Sequence, residues 1–105
     1  MSNDEQIAYW NGEAGQRWAQ EDETMARLLR PVSEALLAHA DVGACSSAID
    51  VGCGGGSQSM MLAAALPAGA RVLGVDISEP MLEVARSRTV PAGSASVDFL
   101  CADAS

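Results

Sequence analysis

Apolar and polar positions follow a helical period early in the chain. Over residues 21–40 the apolar side chains recur at three- and four-residue intervals, which places them on one face of a helix. They are Met25, Leu28, Leu29, Val32, Leu36 and Leu37. Proline inside a helix costs about 3 kcal/mol, so Pro31 predicts either a kink or two helices, with Pro31 in the first turn of the second.

Further along, short apolar runs alternate with helical segments. The runs have the length and composition of strands and lie at residues 48–51, 71–76 and 96–101. A helix is predicted from residue 57 until Pro67, and another begins after Ser78, a suitable N-cap. This alternation predicts an α/β fold with a parallel sheet. Right-handed crossovers place the strands in the order third, second, first, with all carboxyl ends at one edge.

The segment before residue 21 has weaker helical character, and we expect Gly12 and Gly15 to break it. It holds three of the four aromatic residues, Tyr9, Trp10 and Trp18. Two interpretations are open: the rings staple a leading helix onto the domain, or they form a lid that faces a ligand. We therefore divide the chain into a helical leader or lid at 1–44 and an α/β domain at 45–105.

A glycine-rich turn separates the first strand from the helix that follows. Four of the five residues 52–56 are glycine, which adopts positive φ at little steric cost and lets a ligand approach the backbone. The N–H groups of such a turn and of the next helical turn favour an anion or a polar ligand edge. The stretch predicts a small-molecule site, although it also fits a turn that only closes a strand-helix connection.

The glycine spacing favours one cofactor class over another. The dinucleotide pattern G-x-G-x-x-G places its third glycine at position 57, which is serine here. The pattern acidic-x-G-x-G-x-G is complete, with Asp50, Gly52, Gly54 and Gly56 in register. In this stretch the chain resembles the first motif of the class I, Rossmann-like S-adenosylmethionine-dependent methyltransferases. A nicotinamide-dependent oxidoreductase is the weaker alternative.

The end of the second strand carries a second resemblance. Asp76 lies twenty residues after Gly56, where Rossmann-like folds place a carboxylate that accepts hydrogen bonds from ribose. The run Val-Asp-Ile-Ser-x-x-Met-Leu-x-x-Ala-Arg at 75–86 resembles the second motif of the same family. The resemblance implies that Asp76 binds the ribose and that Ile77 packs on the adenine. The leader, with Tyr-Trp-Asn-Gly-x-Ala-Gly-x-x-Trp at 9–18, resembles that of bacterial small-molecule methyltransferases.

The third strand is followed by an Ala-Asp-Ala sequence at 102–104 that resembles another family feature. It implies that Asp103 accepts a hydrogen bond from the adenine amine and that Ala104 supplies a backbone N–H. The alternative is an exposed acid. The predicted cofactor-binding residues are Asp50, Gly52, Cys53, Gly54, Asp76, Ile77, Met81, Asp103 and Ala104. The cofactor implied is S-adenosyl-L-methionine, with its methionine end over the glycine turn.

Length and the family resemblance together predict an incomplete sheet. The chain has 105 residues, enough for one small domain but short for a complete α/β fold. The implied fold is a Rossmann-like three-layer sandwich, of which the first half is present. We expect either the cofactor-binding half of a longer protein or a truncated product. In the truncated product, the first strand is an open edge through which copies of the chain could pair as a homo-oligomer.

Charge and cysteine usage exclude several classes of function. A net charge of −8 opposes binding to a nucleic-acid backbone. No apolar run approaches the roughly 20 residues that span a bilayer, and the first residues lack the pattern of a secretory signal. Three cysteines without C-x-x-C spacing indicate reduced thiols in the cytoplasm rather than a disulfide framework or a metal site. Cys53 has no base nearby in the sequence, so we do not expect it to be a nucleophile.

Taken with the resemblance, the sequence predicts methyl transfer from S-adenosylmethionine to a small-molecule acceptor. A truncated, non-catalytic cofactor-binding or assembly fragment is the alternative. Methyl transfer is an in-line displacement, in which the protein's main contribution is to hold donor and acceptor in a reactive geometry. The sequence identifies no catalytic residue and does not specify the acceptor.

Overall fold

The computed structural model describes residues 3–90 and 93–103. Three leading helices are followed by alternating strands and helices, and these elements are α1 (Asn3–Asn11), α2 (Glu13–Gln20), α3 (Asp22–Ala40), β1 (Ser47–Val51), α4 (Ser57–Ala65), β2 (Arg71–Asp76), α5 (Glu79–Ser87) and β3 (Ser96–Cys101). The predicted α/β alternation is confirmed. Ala104, predicted to contact the cofactor, lies outside the described residues.

The strands form one parallel sheet in the order β1-β2-β3, which confirms the predicted arrangement. Since both crossovers run in the same direction, right-handed connections place α4 and α5 on one face of the sheet. One buried cluster of the core lies between α4 and the sheet and consists of Leu62, Ala63, Leu66, Ala70, Val72 and Ala95. Gly74 makes room in the middle of the sheet, because a Cβ there would lie 2.6 Å from the Phe99 ring.

The other face of the sheet is open at its β1 side. Ile49 and Val51 are 66% and 65% exposed, and Leu100 on β3 is also exposed. Within the described residues, β1 pairs with β2 alone, so its outer edge presents unpaired backbone groups. The open edge expected from the sequence is therefore present.

The leader departs from the sequence prediction at one glycine. Gly12 separates α1 from α2 as expected, but Gly15 lies inside α2 and is buried. A Cβ at Gly15 would overlap the carbonyl oxygen of Trp10 and would approach the Ser78 hydroxyl. The prediction that Gly15 breaks the helix was wrong, because close packing rather than a turn requires glycine there.

Helix α3 runs without interruption through Pro31, so the two-helix alternative is also wrong. Its apolar face is only partly covered: Met25 and Leu37 are half-buried, whereas Leu28 and Val32 are 67% and 63% exposed. None of the helices in the described residues is long and apolar enough to cross a bilayer.

Candidate functional site

The glycine turn has the backbone that its spacing predicts. Gly52, Gly54 and Gly56 have φ of 72°, 54° and 83°, in the left-handed region that other residues rarely adopt. The N–H groups of Gly52 and Cys53 both donate to the carbonyl of Val75 on β2, at 2.7 and 3.0 Å. These bonds fold the chain back over the end of the neighbouring strand and fix the start of the turn.

The two ends of the turn differ in their surroundings. A Cβ at Gly56 would lie 2.9 Å from Ala85 and 3.0 Å from the Phe99 ring, so this end is packed into the protein. A Cβ at Gly52 would meet nothing within 4 Å. The Gly52 end therefore faces open space, and it is the end that a ligand can approach.

Asp76, at the end of β2, joins the second strand to the turn. Its Oδ2 accepts a hydrogen bond from the Gly54 N–H at 2.9 Å, and its Oδ1 accepts one from the Ser78 N–H at 2.9 Å. The carboxylate thus holds the glycine turn on one side and the start of α5 on the other. The structure brings together Asp76 and the turn, which are twenty or more residues apart in the chain.

A cavity of about 310 Å³ opens at the carboxyl ends of the three strands. It is lined by Trp10, Val51, Gly52, Val75, Asp76, Ile77 and Ala102. Gly52, Asp76 and Ile77 were predicted from the sequence, and they lie together here. Among these lining residues Asp76 carries the only ionisable side chain.

Trp10 reaches the cavity from the leader, and it is absent from the predicted set of binding residues. The next residue, Asn11, fixes its position: the Asn11 Nδ2 donates to the carbonyl of Ile77 at 2.6 Å, and its Oδ1 accepts from the Glu79 N–H at 2.8 Å. The Ser78 hydroxyl donates to the Trp10 carbonyl at 2.5 Å. The aromatic cluster was the sequence signal, but it did not show which ring reaches the site.

A sequence profile described as a methyltransferase domain matches residues 48–105. The match covers more than half of the chain. The chain belongs to this methyltransferase family.

Two curated relatives of this methyltransferase chain are trans-aconitate 2-methyltransferases, from Paracidovorax citrulli and Methylobacterium radiotolerans. Each is 48% identical over 59 residues, which are 56% of this chain and 22% of the relative. The aligned segment therefore spans less than a quarter of either relative's length.

Two solved structures of magnesium protoporphyrin IX methyltransferase from Synechocystis PCC 6803 share the fold. The one with bound SAH is 26% identical, with a TM-score of 0.63, and covers 92% of this chain and 49% of its own. The one with bound SAM is 28% identical, with a TM-score of 0.59, and the corresponding shares are 90% and 51%. This chain thus has the Rossmann-like architecture of about half of that enzyme.

Asp50 lies inside the methyltransferase domain rather than on the cavity wall. The residue is 9% exposed, and its Oδ2 accepts a hydrogen bond from the Ser59 hydroxyl of α4 at 2.7 Å. Burial raises the pKa of Asp50, the Ser59 hydrogen bond opposes this rise, and the nearby Asp76 adds to it. In this position Asp50 supports the strand-helix junction beneath the turn.

Three other predicted residues face a second, smaller cavity of about 220 Å³ on the other side of the turn. Cys53, Gly54 and Met81 line it together with residues from α2, α3 and α4. Burial, followed by the charges of Asp76 and Asp50, raises the pKa of the Cys53 thiol to about 12. A thiol with that pKa is protonated at neutral pH, which argues against a nucleophilic role.

Asp103 is exposed, two residues beyond the end of β3, and is not among the residues that line the strand-end cavity. The Ala102 N–H donates to the carbonyl of Asp76 at 3.0 Å, so the chain is held to β2 as far as Ala102. The adenine-reading role of Asp103 stays a prediction.

Proposed function

We propose that the chain binds S-adenosyl-L-methionine in the strand-end cavity and serves the transfer of its methyl group to a small-molecule acceptor. The observation that carries this proposal is the junction of the Asp76 carboxylate with the glycine turn, beside an open Gly52. The SAH and SAM bound to the related magnesium protoporphyrin IX methyltransferase support it.

The residues around the cavity fit a nucleoside. Each oxygen of Asp76 accepts one backbone N–H and retains a lone pair, so the carboxylate can also accept hydrogen bonds from ribose hydroxyls. Ile77 supplies apolar surface for a base, and Gly52 exposes its backbone. We assign the adenine contacts to Ile77, Asp103 and Ala104, and a supporting role under the turn to Asp50.

The bound cofactor supplies an electrophilic methyl group on a sulfonium. The protein's contribution is to orient donor and acceptor and to exclude water. We assign both tasks to Trp10, because this residue lines the cavity and an indole face attracts a cation. Residues 1–44 are then a leader that closes the site, and residues 45–105 bind the cofactor.

Isothermal titration with S-adenosylhomocysteine tests the proposal. Replacing Asp76 by Asn removes the charged acceptor, and a hydrogen bond to a charged group is worth about 1.5–3 kcal/mol, so affinity should fall roughly 10- to 100-fold. The matched control is Asp98→Asn, an exposed acid on β3, which should bind like the wild type. Equal affinity of the Asp76 and Asp98 variants would contradict the proposal.

Two further measurements separate the alternatives. Binding of S-adenosylhomocysteine without methylation of any member of a metabolite panel would identify a non-catalytic cofactor-binding fragment. Binding of NAD in place of S-adenosylhomocysteine would identify the oxidoreductase. We expect no NAD binding, since Ser57 stands where the dinucleotide motif has its third glycine.

We also propose that the open edge of β1 pairs with a second copy of the chain in the cytoplasm. The support is the exposed backbone edge and the 66% exposure of Ile49. Size-exclusion chromatography with light scattering should show a dimer that Ile49→Lys converts to a monomer. A wild-type chain that stays monomeric at high concentration would contradict this pairing.

A further inference from the structure

We infer that Asp22 and Arg88 form a positioning pair that sets the shape of the glycine turn. Asp22 is the first residue of α3 in the leader, and Arg88 follows the end of α5. Neither belongs to the sequence motifs or lines the strand-end cavity. The effect on the cofactor rests on the proposed function, whereas the effect on the turn does not.

The pair joins three separate parts of the chain. The Nη2 of Arg88 lies 2.6 Å from the Oδ2 of Asp22, and its Nε donates to the carbonyl of Gly55 at 2.5 Å. The two side chains are 12% and 29% exposed, for Asp22 and Arg88 respectively. The contact is therefore largely shielded from solvent, unlike the Arg86–Glu79 pair on the same helix, at 46% and 51% exposure.

Opposite charges hold two successive residues of the turn. The Asp76 carboxylate accepts the Gly54 N–H, and the Arg88 guanidinium donates to the Gly55 carbonyl. Charge-assisted hydrogen bonds of this kind are stronger than neutral ones. With both in place, the peptide groups between them have little freedom to rotate, and the N–H groups of the turn keep a fixed direction.

Asp22 also explains a glycine that the motif does not require. Gly55 is not among the positive-φ residues, so its backbone conformation alone does not demand glycine. A Cβ at Gly55 would overlap the carboxylate of Asp22. Glycine is needed there because the leader's acid approaches the turn so closely.

Hydrogen exchange measured by NMR tests the pair without any ligand. In Arg88→Gln and in Asp22→Asn, the Gly54 and Gly56 amides should exchange at least tenfold faster, while the Leu66 amide, which donates to the Leu62 carbonyl at the C-cap of α4, should be unchanged. The matched control is Arg86→Gln, which removes the exposed ion pair from the same helix and should leave the turn amides as in the wild type. Unchanged exchange at both turn amides would overturn the inference.

Affinity for S-adenosylhomocysteine gives the second readout. Arg88→Gln and Asp22→Asn should each weaken binding about tenfold, and the double variant should be little worse than Arg88→Gln alone, because that change already breaks the contacts of Arg88 with both Asp22 and Gly55. If the turn amides exchange faster in the variants but the wild-type chain does not bind S-adenosylhomocysteine, the proposed function is wrong and the positioning pair is still supported. Turn amides and affinity that match the wild type in all three variants would sink the pair.

A suppressor experiment covers the case in which a single variant folds poorly. Gly55→Ala should weaken binding in the wild type at least tenfold, since the new methyl group displaces Asp22. In an Asp22→Ala background, the same substitution should cost no more than about twofold, because the carboxylate that it would strike is gone. An equal loss of affinity in the wild-type and Asp22→Ala backgrounds would show that glycine is required at position 55 for a reason other than its contact with Asp22. That result would overturn this part of the inference.

Discussion

The ends of β2 and β3 carry similar sequence signals but differ in their position relative to the strand-end cavity. Asp76 is the last residue of β2, Asp103 lies two residues beyond the end of β3, and both acids were predicted to contact the nucleoside. Asp76 accepts two backbone hydrogen bonds and lines the strand-end cavity. Asp103 is exposed and lies outside that lining.

The difference lies in what packs against each end. The leader crosses the end of β2, where Asn11 bonds to Ile77 and Glu79 and the Trp10 carbonyl accepts the Ser78 hydroxyl. At β3 the backbone contact to β2 reaches Ala102. The place of Asp76 on the cavity wall therefore goes with hydrogen bonds from the leader to the residues that follow it.

The largest loss of stability should come from removing Asp76, the acid at the end of β2. Asp76→Ala leaves the N–H groups of Gly54 and Ser78 without their acceptor, and each lost partner costs about 1–3 kcal/mol, so we expect a loss of about 2–6 kcal/mol in the free energy of unfolding. Urea denaturation followed by circular dichroism measures it. The control is Asp98→Ala, an exposed acid on β3, which should stay within about 0.5 kcal/mol, as exposed substitutions usually do. Equal losses at Asp76 and Asp98 would show that Asp76 contributes no more to stability than an exposed acid of the same sheet.

Asn11→Ala should have the next largest effect. It deletes side-chain hydrogen bonds to Ile7, Ile77 and Glu79, and at roughly 0.5–1.5 kcal/mol for each bond we expect a loss of about 2 kcal/mol. The same urea titration measures it, and Gln20→Ala, exposed at the end of α2, serves as the control. A loss no greater than that of the control would show that the leader does not hold the end of β2.

The fold and the Asp76 junction were predictable because their signals are local. The strand-helix alternation gave the sheet order, the spacing of Gly52, Gly54 and Gly56 marked the three left-handed positions, and Ser78 had the sequence context of an N-cap. In each case the deciding interaction lies within a few residues or follows from the handedness of the crossovers.

The missed features depend on contacts between distant residues. Trp10 reaches the cavity through bonds that span 66 to 68 positions, and Asp22 meets Arg88 across 66. A single sequence carries no period or spacing that pairs such residues. Gly15 shows the same limit, because a glycine needed for close packing looks like a glycine needed for a turn until its neighbours are known.

Ser78→Ala should cost less than the Asn11 variant. The hydroxyl caps α5 through the Met81 N–H at 3.4 Å and donates to the Trp10 carbonyl, and loss of an N-cap typically costs about 1 kcal/mol. Thermal and urea unfolding measure the change. Ser87→Ala, at the exposed other end of the same helix, is the matched control and should be close to neutral. Equal losses of stability in the Ser78 and Ser87 variants would show that the hydrogen bonds of Ser78 do not stabilise the end of β2.

The smallest effect should appear at the end of β1, as a pH dependence. The folded state raises the pKa of Asp50 above its ordinary value of 3.8, mainly through burial. The folded state therefore binds that proton more tightly than the unfolded chain, so the Asp50 contribution to stability is complete below pH 3.8 and is lost as the pH rises through the folded-state pKa.

Asp50→Asn keeps an acceptor for Ser59 and cannot ionise, so its stability relative to the wild type should rise between pH 4 and pH 7, by less than the loss in the Ser78 variant. Urea titrations at the two pH values measure this, with the exposed Asp98→Asn as control. A relative stability that falls over this interval would mean that the folded state favours the Asp50 carboxylate, and that hydrogen bonding rather than burial dominates at the β1 end.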